Sequence, residues 1–238
     1  MTLLTNPDGY STVFPGGQHA NFPRPLPTQY HEFFEEFAAL PVLAANGGRW
    51  THTNTNGTLA VTSPTSLTQT LGGASGDLSQ LYFTTATHTL VAGKKAFFRA
   101  KVKVAQTGGT IGIENLFFGL AAAETGTNFL LADGSALAST NCIGFFSNVT
   151  TAAIDLVARA ASVQTLVGAT TTYVSGTSME LGFDFDGQTA TFYRDTYVLG
   201  SIKTNIPTAA LSPMLFIKEG ENHARVLTTD YLWLAIER

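Results

Sequence analysis

The chain is 238 residues long with one cysteine, Cys142, so it is large enough to bury a sizeable core and forms no internal disulfide. Charged residues make up 13% of it against about 25% in an average soluble domain, and the net charge is −4, with basic residues scattered singly apart from Lys94 and Lys95. This leaves no footprint for a phosphate backbone and excludes nucleic acid as a partner, while apolar runs such as 116–123 fall far short of the roughly 20 residues that span a bilayer and exclude a membrane.

The opening Met-Thr-Leu-Leu-Thr-Asn-Pro-Asp has neither the basic nor the apolar region of a secretory signal, which predicts synthesis in a cytoplasm. Residues 1–27 then hold Pro7, Pro15, Pro23, Pro25 and Pro27 and read as an extended arm, since proline fixes φ and removes ladder donors. Tyr10, Val13, Phe14 and Phe22 are interleaved with these prolines, an aromatic content foreign to a purely solvated linker. The arm is therefore expected to lie on something, either a partner or its own domain.

Residues 28–40 predict one short amphipathic helix: Thr28 can cap it, and Tyr30, Phe33, Phe34 and Phe37 recur at helical spacing with Glu32, Glu35 and Glu36 on the other side. Leu40-Pro41 ends it. From Trp50 to the C-terminus the pattern becomes short Thr-, Val-, Phe- and Ile-rich runs separated by Gly, Asn, Asp and Ser clusters, the spacing of an all-β sandwich. The clearest strands are 96–104, 116–122, 142–146, 154–160, 179–185, 190–193, 197–202, 212–217 and 229–236. Asp186-Gly187 supplies the tight turn between two of them.

The run Phe97-Phe-Arg-Ala-Lys-Val-Lys-Val, then Phe117-Phe-Gly-Leu-Ala, Gly144-Phe-Phe, the Leu181-Gly-Phe-Asp-Phe-Asp-Gly hairpin into Thr191-Phe-Tyr-Arg-Asp, Leu211-Ser-Pro-Met-Leu and Thr229-Asp-Tyr-Leu-Trp-Leu resembles concanavalin A-like jelly-roll domains of structural proteins of tailed bacteriophages. The resemblance covers residues 50–238. It implies an all-β jelly-roll sandwich in a capsid decoration or cement protein on the outer surface of a virion, bound to the major capsid protein and to itself as a trimer or a dimer. The aromatic arm would be the contact with a neighbour. The same fold serves tail fibres and spikes, so the alternative is a carbohydrate- or receptor-binding module whose partner is a glycan.

Lectins and glucanases share this fold, which puts the carboxylates to the test. Glu180, Asp184 and Asp186 approach one another most closely in sequence and alternate onto one strand face, predicted to be the solvent face. Glucanases of this fold carry a compact Glu-x-Asp-x-x-Glu run, and Glu180-Leu-Gly-Phe-Asp departs from it; the ligand set of a calcium-dependent lectin is also missing. His19, His31, His52, His88 and His223 are far apart with no metal-pair spacing, Cys142 reads as a buried thiol, and no Gly-x-Ser-x-Gly elbow occurs. Trp50 and Trp233 read as core or interface residues. The sequence thus predicts no catalytic residue, cofactor or metal, and a chain that is not an enzyme.

Overall fold

A computed structural model of the protein describes residues 29–63, 65–110, 112, 114–122, 129, 137–139, 141–148 and 151–238. The expected arm, with Tyr10, Val13, Phe14 and Phe22, lies outside the described residues. Among those described, the strands are β1 (Tyr30–Glu35), β2 (Trp50–Thr55), β3 (Gly57–Ser63), β4 (Ser66–Leu71), β5 (Leu78–Phe83), β6 (Ala96–Gln106), β7 (Glu114–Ala121) and β8 (Cys142–Ser147). They continue with β9 (Ala153–Ala160), β10 (Val163–Thr172), β11 (Ser178–Phe185), β12 (Ala190–Arg194), β13 (Tyr197–Ile202), β14 (Ser212–Glu219) and β15 (Arg225–Glu237). No helix among the described residues is long and apolar enough to cross a membrane.

The strands form two antiparallel sheets. The first has the order β13-β12-β11-β6-β15-β4-β3, with β1 added to β15, and the second the order β10-β9-β8-β7-β14-β5-β2. Alternation decides what each strand buries: Phe98, Ala100, Val102 and Val104 of β6 enter the core, while Lys101 and Lys103 between them stay half-buried. Across the sandwich Phe192 of the first sheet meets Phe145 of the second edge to face at 5.4 Å, and Phe183 stacks on Phe98 at 5.5 Å. Such aromatic pairs add about 0.5–1.5 kcal/mol each beyond their buried area.

The expected helix at 28–40 is corrected. Tyr30–Glu35 is a strand, paired antiparallel with β15 from Tyr30 opposite Glu237 to Glu35 opposite Leu232. β15 is long enough to need two partners on that edge: β4 covers Val226 to Thr229, and β1 takes the part beyond the irregularity at Asp230. As a strand, the segment buries aromatic side chains on both faces. Phe33 packs on the inter-sheet core, whereas Tyr30 joins Phe97 and Trp233 in a cluster on the outer face of the first sheet. Among the described residues the sandwich therefore includes Tyr30–Glu35 ahead of Trp50.

A second apolar cluster covers the outer face of the other sheet, where Phe117, Phe216, Met214 and Cys142 lie under Phe129 and Leu137 from the segment between β7 and β8. Gly119 and Gly144 face each other there, and a Cβ on Gly144 would stand 2.3 Å from the Phe118 carbonyl oxygen, so these backbones approach as only glycines allow.

Candidate functional site

The carboxylates singled out in the sequence are engaged in structure. Glu180 is buried and accepts the Tyr231 hydroxyl, and Asp184 is 2.6 Å from the guanidinium of buried Arg99, which also donates to the Phe183 carbonyl at 3.0 Å and lies over the Tyr193 ring at 5.3 Å. Burial pushes the Asp184 carboxyl above its ordinary range, with Arg99 pulling it back. Asp186 sits beyond the strand, in the turn, where its carboxylate accepts the N–H groups of Gln188 and Thr189 at 2.9 and 2.7 Å. These two bonds hold its carboxyl below the usual value. Glu180 and Asp184 thus share the outer face of β11, as the alternation predicts, but Glu180 is buried there and Asp186 lies beyond the strand. Cys142 is a buried free thiol and Trp50 a core residue, as the sequence predicts. Trp233 is buried on the outer face, donating its indole N–H to Glu32 at 2.8 Å.

A second group of charges joins the sheets at one end. Arg225, at the start of β15, lies with its Nε 3.4 Å from Glu114 of β7 and 3.2 Å from Glu219 of β14, all three side chains fully buried. Its terminal nitrogens donate to the carbonyls of Gly108 and Thr110 at 3.1 and 3.0 Å, and Glu114 also accepts the Tyr173 hydroxyl. Burial drives the Tyr173 phenol far upward and raises Glu219. No solvent reaches this cluster, and it works as a staple between the sheets.

The open concavity lies elsewhere, where β1 of the first sheet comes beside β2 of the second. Phe33 meets Phe83 edge to face at 4.9 Å and Trp50 at 6.1 Å, which forms an aromatic floor. Arg49, just before β2, is held by Thr84, whose backbone N–H and hydroxyl both donate to the Arg49 carbonyl, at 2.9 and 3.3 Å. Its guanidinium lies over the rings of Phe33 and Phe83, at 5.4 and 5.7 Å. His88 is fixed by paired backbone bonds with Leu211, at 3.0 and 2.7 Å, and its ring lies 5.9 Å from that of Phe83. Together with His31 and the threonines at 84, 85 and 87, these residues line a cavity of about 460 Å³, continuous through Phe33 and Arg49 with a shallower cleft beside Phe34 and Val42. That volume is in the range of small-ligand sites.

Burial lowers the His88 imidazole below its ordinary value; its bond to the Leu211 carbonyl opposes this, and the positive charges of Arg49 and His31 add to it. Sequence reasoning missed this site. His31 was assigned to a helix, and nothing in the spacing of His31, Arg49 and His88 shows that the strand pairing gathers them.

No family model matches the chain, and no curated protein matches it in sequence. Solved structures do match in fold. An endo-1,3-β-glucanase from Streptomyces sioyaensis aligns over 91% of this chain and 99% of its own with a TM-score of 0.64 at 9% identity. A β-glucanase of Bacillus licheniformis covers 87% of this chain and 98% of its own, with a TM-score of 0.56 at 15% identity. The carbohydrate recognition domain of Emp47p covers 87% and 96%, with a TM-score of 0.55 at 10% identity. The expected concanavalin A-like jelly-roll sandwich is thus the fold of this chain. The expectation that it is not an enzyme is corrected by the same likenesses, because glycoside hydrolases stand among the structures that share its fold; a missing Glu-x-Asp-x-x-Glu run is no ground for setting it apart from them.

Proposed function

We propose that this chain is a carbohydrate-recognising jelly roll that seats its glycan in the groove between β1 and β2. The observation that carries the reading is the groove's make-up: an aromatic floor of Phe33 against Phe83, rimmed by Arg49, His31, His88 and threonine hydroxyls. A sugar ring offers an apolar C–H face together with many hydroxyls, and it is matched by an aromatic surface beside several convergent hydrogen-bonding groups. The glucanases and the carbohydrate recognition domain that share the fold support the same reading. A glycan then takes the place of the major capsid protein as the expected partner.

The test is a glycan array probed with the full chain, followed by incubation of the bound oligosaccharides with a large excess of protein. Retention on the array that is lost in Phe83→Ala, with melting used to confirm that the variant is folded, is the expected result. Release of new reducing ends would place the chain with the hydrolases, and intact glycan with the binders. Retention of no glycan would contradict the proposal.

A further inference from the structure

Three of the described arginines outside the groove sit against carboxylates. Arg99 has Asp184, Arg194 has Asp195 at 3.7 Å, and Arg225 has Glu114 and Glu219. Arg49 forms no ion pair with a carboxylate among the described residues; its partners are two phenyl rings and, from its carbonyl, Thr84. It is exposed at the mouth of the cavity, and the two histidines that line the same cavity add donors on either side of it. Three groups that carry or can carry positive charge thus converge in a chain whose net charge is −4.

The acids of β1 do not fill the gap. Glu32 lines the cavity and Glu35 the adjoining cleft, but among the described residues no ion pair joins either to Arg49, and Glu32 accepts the Trp233 indole N–H at 2.8 Å. A guanidinium presents a planar fork of donors that matches a carboxylate or a sulfate, and such charge-assisted bonds are about twice as strong as neutral ones. Here the fork rests against the two rings beneath it, which favours one placement of the side chain before a ligand arrives.

We infer that the groove takes an acidic sugar, seating the carboxylate or sulfate of one glycan residue against Arg49 in the cavity that His31 and His88 also line, with the sugar ring beside the guanidinium against Phe33, the less buried of the two rings. This rests on the carbohydrate reading above and names the class of glycan. It also implies a pH dependence. The groups facing His88 are Arg49, His31 and the Leu211 carbonyl, and Glu32 lines the same cavity. Acidification through the lowered range of His88 charges that imidazole and strengthens the hold on an anion.

Titration calorimetry of the full chain, at pH 5.5 and again at pH 8, tests the inference with four probes: an oligogalacturonate, a sulfated oligosaccharide, a neutral galacto-oligosaccharide of equal length, and inorganic phosphate. The expected result is at least tenfold tighter binding of one acidic oligosaccharide than of the neutral one, a wider margin at the lower pH, and weak binding of phosphate alone. Arg49→Gln brings the acidic glycan down to the level of the neutral one, and Arg49→Lys restores part of the margin; melting of each variant confirms the fold. The carboxylated and sulfated probes separate the two sources of the anion. Equal affinity for neutral and acidic oligosaccharides would overturn this inference and leave the carbohydrate reading standing. Phosphate bound as tightly as the oligosaccharides would overturn it in favour of a simple anion site, and binding of no oligosaccharide at all would overturn the carbohydrate reading itself.

Discussion

Two regions of this molecule are built from the same materials, an arginine with aromatic and titratable neighbours, and they behave as opposites. At the inter-sheet staple Arg225 is sealed, its charge met by Glu114 and Glu219 and its terminal donors by the carbonyls of Gly108 and Thr110. At the β1–β2 groove Arg49 is exposed over Phe33 and Phe83 and forms no ion pair with a carboxylate among the described residues. A buried charge that has its partners is committed to the fold, whereas an oriented charge without one is available to a ligand. Residue type does not separate the two; burial and pairing do.

The sharpest way to break the comparison is to remove each charge in turn. Arg225→Met leaves two buried carboxylates without a cation and costs about 3–5 kcal/mol, read by urea unfolding with the slope compared to wild type. Next in size is Trp233→Phe, which removes the indole donor to Glu32 and loosens β1 from the sandwich. A hydrogen bond to a charged group is worth about 1.5–3 kcal/mol, and hydrogen exchange should show the loss concentrated in the amides of β1. Arg49→Gln, at an exposed position, stays within about 0.5 kcal/mol of wild type in the same unfolding assay. A loss comparable to that of Arg225→Met would place Arg49 with the fold and not with a ligand.

The smallest effect is on pH dependence. Because the His88 imidazole is lowered in the folded chain, the unfolded chain binds the proton more readily; the contribution is full above the ordinary imidazole range and is lost as pH falls through the lowered value. His88→Gln should flatten the stability profile across that window. An unchanged profile would show that His88 does not feel the burial and the cations around it.

Much of the fold was legible from sequence because the strands from Ala96 onward carry their own alternation. Phe98, Ala100, Val102 and Val104 fall on one face of β6, and Leu181, Phe183 and Phe185 on one face of β11, so periodicity alone orients them. Segment 30–35 misled because Tyr30, Phe33 and Phe34 satisfy helical spacing as well as the two-sided burial of a strand added to an edge. What decides between these is the free half of β15, a partner about two hundred residues away that no local pattern reveals. The groove was hidden for the same reason: Phe33 and His31 reach Phe83, Arg49 and His88 only once β1 is in place. The staple was equally hidden, since Glu114, Glu219 and Arg225 read as ordinary charges until the sheets close over them.

The most direct test of the groove is a crystal structure of the protein bound to the oligosaccharide that it retains best on the array. The predicted result is a sugar ring against Phe33 with an acidic group on Arg49, in the cavity that His31 and His88 line. A glycan seated on the outer face of either sheet, with the β1–β2 groove left to solvent, would contradict it.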